Sequence, residues 1–174
     1  MHPRLVELLR YVDRETANLR DAYEAVPPDR RRVRTDPARW SPAEIVKHLA
    51  IVDRRIVQRL SGLIEEARAL PPETDTSASL PAPLIARVLD RSGRFKTSAA
   101  GEPVDADPEA VWDELMAARR DLADVVAKAD GLSLGKVSAP HPALGTFNGY
   151  EWLAFVGAHA ARHADQIREM QLPA

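Results

Sequence analysis

Apolar residues recur every three or four positions in four long segments of the chain, which is the spacing of one face of an α-helix. Prolines or glycine stand directly after three of these segments. With their cap residues, the four predicted helices cover residues 3–26, 41–70, 107–130 and 148–170. No segment shows a convincing strand pattern, so the sequence predicts an all-α protein.

Two of the helices begin with the same local signal. Ser41 and Asn148 are good N-caps, and each is followed three residues later by a glutamate, Glu44 or Glu151. This spacing is typical of a capping box, in which cap and glutamate bond to each other's backbone N–H groups. Pro42 suits the first helical position. The two helix starts are therefore the most sharply predicted boundaries in the chain.

The connections predict how the helices are arranged. Residues 71–106 are rich in Pro, Ser, Thr and Ala and include one short helical pattern at 83–91. The loop before the last helix is short enough for a hairpin. We therefore expect one domain over residues 1–174, folded as a four-helix bundle with up-down-down-up topology. Its long crossover connects the second and third long helices.

Composition narrows the possible functions. The chain has 174 residues, a net charge of −2 and no cysteine. The near-neutral charge gives no reason to expect nucleic acid or anionic lipid as a partner. The lack of cysteine excludes disulfides, thiolate metal ligands and a protein thiol nucleophile. No apolar run reaches the ~18 residues of a membrane span, and no signal peptide is evident, so we expect a cytoplasmic protein.

Histidines supply the candidate chemistry. His159 and His163 lie four positions apart in GAHAARHADQI and therefore share one helix face. The apolar stripe of the last helix passes through both positions, so both are predicted to point into the bundle. On the second long helix, the stripe through Ile45 and Val52 includes His48.

Three inward histidines are costly unless they have partners, because buried imidazoles lose hydration and repel one another when protonated. A divalent metal ion removes this cost, and three protein ligands leave a coordination position open. Hydrogen-bonded core histidines are the alternative. His48 lies about 10 Å past its cap and the pair about 16–22 Å past theirs. The heights match only if these two helices are antiparallel.

The segments WSPAEIVKHLAIVDRRI, HPALGTFNGYEWLAF and HAARHADQIREM together resemble the DinB/YfiT-like superfamily. The resemblance covers almost the whole chain, including the long crossover and one histidine followed by HxxxH. It implies a four-helix bundle, often dimeric. It also implies that His48, His159 and His163 form a metal triad for Zn or Ni.

Better understood members of that superfamily transfer low-molecular-weight thiols such as bacillithiol, mycothiol or glutathione. The resemblance therefore implies a metal-dependent transferase that joins such a thiol to an electrophilic small molecule. A metal-dependent hydrolase is one alternative, and a non-catalytic ligand-binding bundle is another.

Three further polar residues lie near the predicted site. His141, in HPALG, is expected to have a packing or turn role. Arg162 could attract an anionic substrate, although a solvated arginine is the simpler expectation. Gln166 could line the pocket, although a position at its rim is the simpler expectation.

Overall fold

The computed structural model describes residues 1–93 and 101–171 of the chain. These residues form five α-helices, short 3₁₀ turns and one small antiparallel hairpin. The helices are α1 (Pro3–Glu24), α2 (Pro42–Arg68), α3 (Ala82–Leu89), α4 (Val111–Ala127) and α5 (Gly149–Glu169). The strands are β1 (Ser138–His141) and β2 (Gly145–Asn148). The four long helices and the short helix of the crossover all overlap the segments in which the sequence predicts them, although some boundaries differ.

The long helices pack with the predicted up-down-down-up topology. One apolar cluster joins the ends of α1 and α5 to the starts of α2 and α4, and includes Leu19, Leu49, Leu115 and Ile167. A second cluster joins the opposite ends of the same helices. Helices α1 and α5 are therefore parallel to each other, and α2 and α4 run the other way. The contact between α2 and α5 is antiparallel, as the histidine heights require.

Capping explains the starts of α2 and α5. The Ser41 hydroxyl accepts a hydrogen bond from the Glu44 N–H at 3.3 Å, and the Glu44 carboxylate accepts one from the Ser41 N–H at 2.8 Å. Asn148 and Glu151 form the same reciprocal pair at 3.0 and 2.8 Å. Both predicted capping boxes are confirmed, and they stabilise the first turns of the two helices that carry the histidines.

Helix α4 begins later than predicted. The sequence predicts the N-cap of this helix at Asp107, whereas the helix starts at Val111. The Asp107 carbonyl accepts from the N–H groups of both Ala110 and Val111, at 3.1 and 2.9 Å. This shared acceptor makes a tight turn ahead of the regular helix. Asp107 still stabilises the turn, since its side chain accepts from the Glu109 N–H at 3.2 Å.

The hairpin before α5 was not predicted. Strands β1 and β2 pair antiparallel with Ser138 opposite Asn148 and His141 opposite Gly145. Gly145 has a φ of 85°, which lies in the left-handed region that favours glycine. The His141 Nδ1 accepts from the backbone N–H groups of Ala143 and Leu144, at 3.2 and 3.1 Å. The expected turn role of His141 is thus observed, within a strand pair.

The crossover returns along the outside of the bundle and is tied to it at several points. Its beginning is held by α1, where Arg4 forms an ion pair of 2.6 Å with Asp75. Helix α3 packs against α5. The Arg87 guanidinium donates to the Leu144 carbonyl of the hairpin turn at 2.6 Å. These contacts place the crossover against one side of α5. None of the helices in the described ranges is long and apolar enough to cross a membrane.

A buried ion pair joins the parallel helices α2 and α4. Asp53 Oδ2 lies 3.2 Å from Arg119 Nε, and both side chains are almost fully shielded from solvent. Burial raises the pKa of Asp53 to about 6, although the charge of Arg119 acts to lower it. Removing one partner would leave an uncompensated polar group inside the bundle. The pair therefore favours one alignment of α2 along α4.

Gly157 sets the spacing between α1 and α5, and it provides a test of this packing. A Cβ at this position would lie 2.6 Å from Cε1 of Tyr11, whereas a Cβ at Gly62 on α2 would meet nothing within 4 Å. We expect Gly157→Ala to lower the free energy of unfolding by about 1–3 kcal/mol through overpacking. Gly62→Ala should raise it by about 0.5–1 kcal/mol through helix propensity. Urea unfolding of both variants measures the difference, and equal stabilisation would contradict the close contact.

Candidate metal centre

His48, His159 and His163 come together inside the bundle. One ring nitrogen from each lies within 4.8 Å of one from each of the others. His48 is 4% exposed and His163 is 8% exposed, and all three residues line one cavity. The structure therefore brings together all three histidines that the sequence singled out, from two helices that run in opposite directions.

Small residues let the α5 backbone lie close to its neighbours around the histidines. Ala158, Ala160 and Ala164 are all fully buried. Ala160 and Ala164 belong to the same apolar cluster as Ala43 and Ala50 of α2. Alanines combine good helix propensity with small side chains, so the two helices can pack closely. The imidazoles then occupy the space beside this small-residue contact.

Hydrogen bonds orient two of the three rings. The Nδ1 of His48 lies 2.7 Å from the Gly101 carbonyl oxygen, which can only accept. The Nδ1 of His163 lies 2.9 Å from Oε1 of Gln166. In a neutral imidazole the proton then resides on Nδ1, which leaves a lone pair on Nε2. Such partners are typical of metal-ligating histidines, because they fix both tautomer and ring orientation.

The third ring is positioned by packing. His159 stacks on Phe155 with ring centroids 4.9 Å apart and an interplanar angle of 18°. Its Nδ1 is buried and has no hydrogen-bond partner among residues 1–93 and 101–171. Its Nε2 lies 3.0 Å from Nε2 of His163. Because the His163 nitrogen carries a lone pair, His159 must direct either a proton or a shared cation toward it.

Burial keeps the cluster neutral. Loss of hydration is the main cause that lowers the pKa of all three histidines, and repulsion from the other rings lowers those of His159 and His163 further. The pKa of His163 falls to about 3, and that of His159 falls well below its usual value. Neutral imidazoles are the form that binds a metal ion.

The donor set therefore fits a divalent cation. Three neutral nitrogen donors converge, two of them with their proton held on the far side of the ring. A cation that accepts all three lone pairs replaces the single proton that His159 and His163 otherwise share. These three residues could bind a metal ion, and imidazole ligands suit both Zn and Ni.

The cluster opens onto a cavity of about 770 Å³. One wall is α2 and another is α5, and the segment before α2, the end of α3, the hairpin turn and Gly101 also contribute to the lining. The rings of Trp152 and Phe155 form its apolar side, beside His141. The lining also includes Arg39, Arg55, Arg59, Arg91, Arg162 and Glu169. Five arginines against one glutamate make this a strongly cationic cavity.

Several residues have other roles than the sequence indicated. Gln166, expected at the rim, bonds directly to His163, and helix spacing of three residues is the signal that could have shown this. Arg162 is half-buried, and backbone carbonyls bind its guanidinium. It donates to the carbonyls of Val88 and Gly93 at 2.9 Å and to that of Asp90. Sequence reasoning missed Gly101, because a backbone carbonyl has no side-chain signature.

Fold and site together define a class of protein: an all-α bundle in which histidines of two antiparallel helices surround one cavity and could hold a metal ion. The family model of the DinB superfamily matches residues 11–167. The chain therefore belongs to the DinB superfamily, which confirms the resemblance found in the sequence. Neither the curated proteins nor the solved structures gave a match.

The lowered histidine pKa values predict that metal-free protein loses stability in mild acid. Near pH 5 the unfolded chain binds protons at His141 and His163 that the folded chain excludes, since the pKa values of these residues are lowered to about 4 and about 3. Asp53 acts in the opposite direction, because its pKa is raised to about 6 and the folded chain therefore binds one proton there that the unfolded chain does not. The net of one proton corresponds to a fall of about 1.4 kcal/mol in unfolding free energy per pH unit, and the lowered pKa values of His48 and His159 increase this fall.

Urea unfolding of the metal-free protein between pH 7 and pH 5 measures this slope. His141→Asn should reduce it by about 1.4 kcal/mol per pH unit, because one lowered pKa is removed. A stability that stays constant or rises on acidification would contradict the assigned neutral state of the cluster.

Proposed function

We propose that this protein is a metal-dependent transferase that joins a low-molecular-weight thiol to an electrophilic small molecule. The observation that carries the proposal is the convergence of three neutral imidazoles on a cavity of about 770 Å³. Membership of the DinB superfamily supports it, because the better understood members of that superfamily transfer low-molecular-weight thiols.

His48, His159 and His163 would hold the ion, which we propose to be Zn or Ni. Gly101 and Gln166 accept the Nδ1 protons of two rings and so keep their Nε2 lone pairs available. A divalent cation held by these three histidines would lower the pKa of a bound thiol and so would supply a thiolate near neutral pH.

The rest of the cavity accounts for substrate binding. Trp152 and Phe155 offer an apolar wall for the electrophile and reduce access of water. The chain contains no cysteine, so the sulfur nucleophile has to be supplied by a cosubstrate. In the overall reaction a C–S bond forms, the bond to the leaving group breaks with its electron pair, and the thiol proton passes to solvent. The cytoplasmic location, which was expected from the sequence, stays a prediction. The homodimer, which the resemblance implies, also stays a prediction.

Metal content is the first test. Protein purified without a histidine tag should contain about one Zn or Ni per chain by elemental analysis. His159→Ala should abolish tight binding, because two histidines leave the donor set incomplete. His2→Ala is the matched control, since His2 caps α1 and does not line the cavity. Wild-type protein that neither contains nor takes up Zn or Ni would instead favour a non-catalytic bundle.

Thiol transfer is the second test. With 1-chloro-2,4-dinitrobenzene as electrophile, metal-loaded protein should accelerate thioether formation by a panel of thiols that includes glutathione. Chloride is released in the same step. The variant His48→Ala/His159→Ala/His163→Ala should lose this acceleration, and full turnover by it would overturn the mechanism. A phenol product formed without added thiol would show hydrolysis instead.

The hydrogen bond from His163 to Gln166 gives a finer prediction. Gln166→Leu removes the acceptor for the Nδ1 proton while keeping a side chain of similar size. Loss of such an outer partner typically weakens metal affinity about 10–100-fold. Competition with a chromogenic chelator measures this change. Unaltered affinity would show that packing alone orients His163.

A further inference from the structure

The free positive charge of the cavity is concentrated on α2. Of the five arginines in the lining, Arg39 and Arg91 lie 3.9 and 2.6 Å from the carboxylate of Glu169. Arg162 donates to backbone carbonyls at the end of α3 and just beyond it. Within the described ranges, Arg55 and Arg59 alone among the five form no hydrogen bond or ion pair.

The lack of polar partners is limited to the arginines of α2 that line the cavity. Lys47 and Arg54 lie 2.7 and 3.7 Å from the carboxylate of Glu114, and Arg68 pairs with Glu65 at 3.1 Å. The cations of α2 that face away from the cavity thus have acidic partners. The two that line it do not, in the part of the chain that the structure describes.

The side chains of α2 that line the cavity change in type along the helix. His48 comes first and Val52 follows, and then come Arg55 and Arg59, with Ile56 between them. Arg55 lies seven residues after His48 and Arg59 eleven, which is about 10 and 16 Å along the helix axis. Arg55 is close enough for its charge to lower the pKa of His48. A ligand along this face meets nitrogen donors first, then Val52, and then two guanidinium groups on either side of Ile56.

We propose that Arg55 and Arg59 bind a carboxylate of an extended ligand whose reactive end lies at the three histidines and whose apolar middle contacts Val52 and Ile56. The inference rests on the proposed function in naming the reactive end. It narrows the substrate class to anionic molecules. Guanidinium groups suit this role, because they form paired, charge-assisted hydrogen bonds with carboxylates.

Two pairs of probes test the proposal, each matched in length. The first pair is 6-mercaptohexanoate and 6-mercaptohexanol, and the second is adipate and 1,6-hexanediol, which contain no sulfur. Isothermal titration calorimetry with metal-loaded protein gives the dissociation constants. We expect each carboxylate to bind about tenfold more tightly than its alcohol, a preference that declines as NaCl is raised.

Arg55→Gln/Arg59→Gln should abolish this preference. Arg54→Gln/Arg68→Gln removes the same charge from the same helix outside the cavity and should keep it. All four side chains are exposed, so both variants should fold, and thermal unfolding and metal content verify this. Loss of preference for the thiol pair assigns the carboxylate to the thiol cosubstrate. Loss for the sulfur-free pair alone assigns it to the second substrate.

A preference that is unchanged in Arg55→Gln/Arg59→Gln for both pairs overturns the inference, and these arginines are then merely solvated. That result leaves thiol transfer standing if the wild-type protein still forms thioether. Conversely, adipate binding that depends on Arg55 and Arg59, in protein that transfers no thiol, supports the carboxylate site and refutes the proposed function. The two failures are therefore distinguishable.

Discussion

The antiparallel contact between α2 and α5 determines how the histidine cluster is built. His48 lies near the start of α2, and His163 lies near the end of α5, so the two rings can be level only when the helices run in opposite directions. Helix α4 also runs antiparallel to α5, so α2 and α4 are parallel. A short turn cannot join two parallel neighbouring helices. The long crossover is therefore a structural requirement of the site.

The crossover also contributes polar groups to the site. Its Gly101 carbonyl accepts from His48, and the carbonyls near the end of α3 accept from Arg162, directly beside His163. The hairpin contributes His141 and the turn that follows it to the opposite part of the lining. Residues outside the four long helices thus determine the size of the cavity and which polar groups are exposed within it.

Local rules predicted much of this structure. The caps at Ser41 and Asn148 depend on residues three positions apart, and the inward phase of the three histidines depends on helical periodicity alone. The hairpin escaped prediction because its strands have four residues each, too few for an alternating pattern, and one of them contains Pro140. The predicted start of α4 was wrong because Asp107, which looks like a helix cap in the sequence, stabilises a separate turn ahead of the helix.

Tertiary contacts account for what no local rule could supply. Arg55 and Arg162 look alike in the sequence, yet one has no hydrogen bond or ion pair within the described ranges and the other holds three carbonyls. Only the position of the crossover distinguishes them. The role of Gly101 likewise depends on where the backbone of a distant segment lies, 53 residues from His48.

The hydrogen bond between His48 and Gly101 has a thermodynamic consequence. The same contact orients a candidate metal ligand and anchors the returning end of the crossover. If a metal ion binds at the three histidines, its binding and the docking of Gly101 against α2 are linked equilibria, and such linkage is reciprocal. A molecule that stabilises this contact would then strengthen metal binding by the same factor by which the ion strengthens the binding of that molecule.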